Sequence, residues 1–204
     1  YQQRQWLEEE EYQNHGEISL AHYGVLYLDE ILEFRKETLE TLRGPLEDKE
    51  ITISRLWASL TYPCNFMLIA SMNPCPCGYY GSGIRDCTCS HTAIKKYLSK
   101  LSGPLLDRID INVNVKPIEY ESLELKQKVE TSKDIKARVE KAIKIQRDRY
   151  KGLNILYNSE LTPKLIEEFC KLGNTGKMIM EKAFINYGLT ARTYTRILKV
   201  ARTI

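Results

Sequence analysis

The run Gly24-Val25-Leu26-Tyr27-Leu28 contains no charged residue and stops at two adjacent carboxylates, Asp29 and Glu30. A short unbroken apolar run fits a strand buried on both faces, as in a parallel sheet, better than an alternating, half-exposed strand. It also dictates where chemistry can sit, because ligands of open α/β sheets gather at the carboxyl ends of the strands. Phe66-Met67-Leu68-Ile69-Ala70 repeats the pattern and delivers Ser71-Met72-Asn73-Pro74 at its end. Two such strands predict an α/β fold. In a nucleoside triphosphatase, one carboxylate of such a pair holds the magnesium shell and the other orients or deprotonates the attacking water. A buried strand that ends in acidic residues for structural reasons alone fits the run equally well.

The elements around these strands are short. Glu33–Leu42 has helical spacing, with Phe34, Thr38, Leu39 and Leu42 on one face, and Gly44-Pro45 is expected to interrupt it. Ile51–Arg55 and Ala58–Tyr62 alternate as two strands close enough to form a hairpin, with Arg55, Leu56 and Trp57 near its tip. Ile109–Val115 reads as a third, more exposed strand. Beyond Pro117 the pattern is helical: Asp134–Tyr150, Pro163–Leu172, Gly176–Tyr187 and Thr190–Thr203 each repeat at 3.6 residues, separated by Gly or Asn.

With 204 residues and 43% apolar side chains, the chain has material for a real core. No apolar stretch approaches the ~18 residues of a membrane span, and the N-terminus lacks the order of a signal peptide, so the expected compartment is the cytoplasm. The net charge of +3 is unevenly spread: residues 1–116 carry 12 Lys and Arg against 16 Asp and Glu, residues 117–204 carry 18 against 11. The basic part suits a polyanionic partner or a solvated helical surface. Phosphate chemistry normally also needs a glycine-rich loop with a lysine, and no G-x-x-x-x-G-K-[ST] occurs. The nearest string, Gly173-Asn174-Thr175-Gly176-Lys177-Met178, has the wrong spacing and reads as a loop between helices. Either the chain is not an ATPase, or its phosphate loop lies upstream of residue 1.

Four of the six cysteines form two close pairs, Cys75-Pro76-Cys77 and Cys87-Thr88-Cys89. In a cytoplasmic chain this suggests metal before disulfides, and four thiolates can close a structural zinc site around a loop poor in apolar residues. Unliganded thiols or a conditional disulfide are the alternatives, and His91 could replace one ligand. Cys64 and Cys170 are isolated and expected to be packed.

Taken in order, Gly16-Glu17-Ile18-Ser19-Leu20-Ala21-His22, the strand GVLYLDE, the segment ITISR, the strings ASMNPCPCGYYG and LSGPLLDRID, and the terminal LTARTYTRILKVARTI resemble the magnesium chelatase-like AAA+ proteins, specifically their ComM/YifB group. The resemblance runs from about Gly16 to Ile204. It implies a partial AAA+ P-loop NTPase core over 16–116, a parallel sheet with a β-hairpin insertion, followed by a small all-α lid over 117–204; residues 1–15 are unassigned. Asp29 and Glu30 take the Walker B positions and Asn73 that of sensor 1, where an amide can donate to the γ-phosphate. Read without the family, Asn73 is a turn residue before proline. Arg108 matches the arginine finger, or is an ion pair with Asp107 or Asp110. Arg192 matches sensor 2, although Arg196, Lys199 and Arg202 on the same helix also suit a solvated face. Arg55, with Trp57 beside it, takes the place of a pore-hairpin residue that touches DNA; a hairpin capping the sheet edge is the plain alternative.

The resemblance therefore implies ATP and Mg2+ as cofactors, a homo-oligomer expected to be a hexameric ring, DNA as partner and no membrane. The expected function is that of an ATP-hydrolysing motor of the helicase or branch-migration type. A chelatase-type motor subunit remodelling a metal-insertion partner and a non-catalytic interaction module are the alternatives. Without a phosphate loop, these 204 residues by themselves are expected to bind ATP poorly and hydrolyse little.

Overall fold

In a computed structural model of the chain, residues 16–54, 59–115 and 130–203 are described, and the chain divides into two compact units, Tyr1–Pro117 and Ile118–Ile204. The first contains α1 (Glu17–Leu20), β1 (Val25–Leu28), α2 (Lys36–Glu40), α3 (Arg43–Asp48), β2 (Glu50–Ser54), β3 (Ser59–Pro63), β4 (Met67–Ala70), α4 (His91–Leu98) and α5 (Gly103–Leu106). The second contains α6 (Ser132–Arg149), α7 (Pro163–Phe169), α8 (Asn174–Tyr187) and α9 (Ala191–Ala201). The fold is thus mixed α/β, a small parallel sheet with helices followed by a helical part, as a partial AAA+ core and helical domain require.

β1 and β4 pair in parallel, Val25 opposite Met67 and Leu28 opposite Ala70. Between them in sequence, β2 and β3 form an antiparallel hairpin with Glu50 opposite Pro63 and Ser54 opposite Ser59. The hairpin is thereby inserted into the crossover of the parallel pair. Its tip, including Arg55 and Trp57, lies outside the described residues.

One face of the parallel pair is core. Leu26 and Leu28 pack with Ile18, Ile31, Leu32, Leu39, Leu42, Ile51, Tyr97 and Leu105. The other face carries Val25, Tyr27, Met67 and Ile69, all exposed, with Tyr27 at 58%. The expectation of strands buried on both faces is therefore corrected: the apolar run alternates in burial, because no described element covers its second face. Ile109–Val115 also departs from expectation. It forms no strand among the described residues, and Ile111, Val113 and Val115 are exposed, since no described strand offers that segment a ladder.

Two helical boundaries differ for local reasons. The chain after Glu30 makes a 3-10 turn over Ile31–Glu33, is extended at Phe34, and only then enters α2. The helix ends at Glu40, ahead of Gly44-Pro45, and a separate helix α3 starts at Arg43 with Pro45 in its first turn, where the missing proline N–H has no intrahelical acceptor to satisfy. Likewise Gly173 is the N-cap of α8 and Asn174 its first residue, so that string is a helix start and not a loop.

The second unit has its own small core of Tyr150, Leu161, Ile166, Cys170 and Leu198. Beside it Asn158, 3% exposed, ties three segments together. Its side-chain oxygen accepts from the Tyr150 hydroxyl at 2.6 Å and from Arg149 at 3.1 Å, and its amide donates to Thr203 at 2.7 Å. Its backbone N–H donates to Gln146, also buried, at 2.8 Å. Removing the Asn158 side chain leaves the buried Tyr150 hydroxyl without this acceptor, which is the costly case for a hydrogen bond. Asn158→Ala is expected to lower the stability of the helical unit by about 2–3 kcal/mol in urea unfolding followed by circular dichroism. A loss below about 0.5 kcal/mol, the usual size for a surface substitution, would contradict this role.

Candidate active site

Because Leu28 stands opposite Ala70 in a parallel register, the next residues, Asp29 and Ser71, leave the sheet side by side. Ser71 joins the two exits with four hydrogen bonds. Its N–H donates to the Leu28 carbonyl at 3.0 Å, and its carbonyl accepts from Ile31 N–H at 2.9 Å. Its hydroxyl donates in a short bond to Asp29 Oδ1 and accepts from Glu30 N–H at 3.1 Å. The Tyr27 hydroxyl lies 3.4 Å from the same Asp29 oxygen.

Glu30 sits at φ 50°, ψ 49°, the left-handed region, which costs a residue with a side chain roughly 1–2 kcal/mol. The bend lets the chain reverse sharply. Asp29 and Glu30 stay exposed, while Ile31 and Leu32 immediately after them are 1% and 0% exposed core residues. Lys100 Nζ closes the turn from below through a short bond to the Leu32 carbonyl.

Asn73 is exposed two residues beyond Ser71, so the structure places Asp29, Glu30 and Asn73 on neighbouring strand exits. Arg108 is held elsewhere in the same unit. Its guanidinium forms an ion pair with Glu47 and donates to the Pro104 carbonyl at 2.6 Å, leaving the side chain 10% exposed. Arg192 is the second residue of α9, exposed, just after the N-cap Thr190, whose hydroxyl accepts from Thr193 N–H at 3.2 Å. Arg55 lies outside the described residues. Ser71 is the residue that sequence reasoning passed over. Its signal was present, a hydroxyl one step past the second apolar run just as Asp29 is one step past the first, but only the register reveals that the two steps coincide.

The segment from Ser71 to α4 brings four thiols together. Cys75 Sγ lies 3.3 Å from Cys77 Sγ and 3.6 Å from Cys87 Sγ, Cys77 and Cys87 are 3.6 Å apart, and all four sulfurs, Cys89 included, lie within 4.8 Å of one another. Cys77 is held down at about 6 by the N–H of Tyr79, against burial and aided by the Cys75 thiol and the Thr88 N–H. At Cys87 the N–H of Cys89 also favours the thiolate, but burial and the thiols of Cys77 and Cys75 outweigh it and push the group up to about 12. His91 is the first residue of α4 and the four-thiol group forms without it. Cys64 and Cys170 are buried apart from the cluster; burial, with Glu50 and Asp48 nearby, pushes Cys64 up to about 11.

Family comparison covers nearly the whole chain. The family model described as magnesium chelatase, subunit ChlI, matches residues 8–123, and that of the ChlI C-terminal part matches 129–204. The chain is 45% identical over 190 residues to the competence protein ComM of Haemophilus influenzae. It is 44% identical over 191 residues to the uncharacterized protein YifB of Escherichia coli and 34% identical over 186 residues to an uncharacterized protein of Mycobacterium tuberculosis. The ComM and YifB alignments cover 93% of this chain and 36% of the relative, so the chain spans about a third of the length of these proteins.

The left-handed corner makes a direct prediction about stability. Glu30→Gly is expected to be more stable than Glu30→Gln by up to about 1 kcal/mol, because glycine adopts that conformation without the side-chain penalty. A glycine variant clearly less stable than the glutamine variant, in parallel urea titrations, would show that the corner is not strained.

Proposed function

This chain belongs to the magnesium chelatase family, an AAA+ ATPase-like group, and from that membership we propose that it forms the water-activating side of an ATP-driven motor that works on DNA as a ring of identical subunits. The observation that carries the reading is the Ser71-held corner, which presents Asp29 and Glu30 at the carboxyl end of a parallel strand with Asn73 on the adjoining exit.

Asp29 fits the magnesium ion that the family implies. Asp29, a carboxylate flanked by the Ser71 hydroxyl, is an oxygen donor of the kind Mg2+ takes, and it would hold the ion's shell. When bound, magnesium nucleotide supplies the phosphoryl group under attack and neutralises part of its charge. Glu30, exposed to solvent, orients a water and accepts its proton on the carboxylate. The exposed Asn73 amide would donate a hydrogen bond toward the phosphate. Arg108 would serve in trans as the finger, and to reach a neighbouring subunit's nucleotide it would have to leave its ion pair with Glu47, which would couple hydrolysis to assembly. Arg192 serves as sensor 2 from the helical part. The expected compartment is the cytoplasm; no helix among the described residues is long and apolar enough to cross a membrane.

DNA as the partner is supported by the relative named for competence and by the basic residue Arg55 in the sequence between β2 and β3. The family description itself favours a second reading, a motor that remodels a metal-insertion partner. In the complete protein, Glu30→Gln is expected to retain ATP and to lose at least about 100-fold in hydrolysis, the scale of a lost general base. Hydrolysis at the unmodified rate would overturn the assignment of the corner. Arg55→Ala is expected to weaken DNA binding and to reduce the slope of log affinity against log salt by about 1. Undiminished affinity, or ATPase activity indifferent to DNA, would remove DNA and leave the remodelling motor.

A further inference from the structure

We propose that Cys75, Cys77, Cys87 and Cys89 bind one zinc ion as a closed four-thiolate site, which holds in place the long segment between β4 and α4. The proposal stands on geometry and does not depend on the ATPase reading. In a tetrahedral site with Zn–S near 2.3 Å, neighbouring sulfurs stand ~3.8 Å apart. The observed separations of 3.3, 3.6 and 3.6 Å lie close to that edge length. They are far longer than the ~2.05 Å of a disulfide. With all four sulfurs within 4.8 Å of one another, the group is also too compact to surround a multi-iron cluster.

The backbone is arranged for the same purpose. Gly78, at φ 82°, returns its N–H to the Cys75 carbonyl at 3.0 Å, closing a tight turn around the first pair. The next turn donates Tyr80 N–H to Cys75 Sγ at 3.4 Å, the outer-shell bond that a thiolate ligand uses to disperse its charge. The second pair arrives just before α4, whose N-cap Ser90 accepts from Ala93 N–H at 3.2 Å and so fixes Cys89 to a regular element.

The segment needs such a staple. Residues 71–90 contain no helix or strand, and irregular loops longer than about 12–15 residues are uncommon in compact domains unless something orders them. Of residues 74–90 only Cys75 is buried; Tyr79, Tyr80 and Ile84 are exposed, so no apolar core holds the loop. Thiolate–metal bonds replace the missing hydrophobic contacts. Four protein ligands leave no open position, which makes the site structural and not catalytic.

Three measurements test this on the complete protein purified without chelators. Elemental analysis is expected to give about one zinc per chain, and Cys77→Ser less than a tenth of that, whereas Cys170→Ser keeps the full amount. Should Cys77→Ser fail to fold, native mass spectrometry of the unmodified protein decides alone, since the folded ion must be heavier than the denatured one by a single zinc. Stripping the metal with a thiol-binding mercurial is expected to speed trypsin cleavage after the exposed Arg85 at least tenfold. Four freely titrating thiols with under a tenth of an equivalent of zinc, two disulfides, or iron in place of zinc would each overturn the proposal.

Discussion

The hydroxyl of Ser71 is the smallest group on which the candidate site depends. It donates to the carboxylate of Asp29 and accepts from the N–H of Glu30, so one side chain fixes the first acidic residue's rotamer and the second's backbone. The left-handed conformation of Glu30 costs roughly 1–2 kcal/mol. It is held by hydrogen bonds from Glu30 and Ile31 N–H to Ser71, each worth about 1 kcal/mol net. The two contributions are of the same size, which leaves the corner held but not rigid beyond need.

Everything upstream of that contact serves to make it possible. The parallel register puts Leu28 opposite Ala70, and slipping it by one residue would both part Asp29 from Ser71 and turn Leu26 and Leu28 out of the core. The buried Ile31 and Leu32 then pull the chain down behind the carboxylates. The second unit is organised on a different principle. Its apolar cluster is small, and Asn158 supplies through hydrogen bonds to Tyr150, Arg149, Gln146 and Thr203 the specificity that packing alone would not.

Much of this was legible in the residues, and the exceptions have physical causes. The strand cores, the hairpin and the four C-terminal helices follow from periodicity, and the paired cysteines from their spacing. Burial on both faces of β1 does not follow from the residues, because composition reports that a strand can be covered, whereas covering requires a second layer, which the described residues do not supply. Ile109–Val115 has the alternation of a strand but no described partner to pair with. Gly44-Pro45 marks the end of the preceding helix as expected, but that Pro45 also sits in the first turn of a new helix, α3, depends on where that preceding helix ends. Ser71 and the Arg108–Glu47 pair were invisible for one reason: each joins residues 41 or more apart, and such contacts are set by register and packing, not by local pattern.

The most direct test of the account compares two substitutions at Ser71 in the complete protein. Ser71→Thr keeps a hydroxyl for both bonds, whereas Ser71→Ala removes the donor to Asp29 and the acceptor for Glu30. ATPase kcat is predicted to fall at least about tenfold in the alanine variant and to stay within about threefold of the unmodified protein in the threonine variant, as expected for a group that positions others. Equal, unimpaired kcat in both would contradict the claim that the Ser71-held corner is the hydrolytic centre.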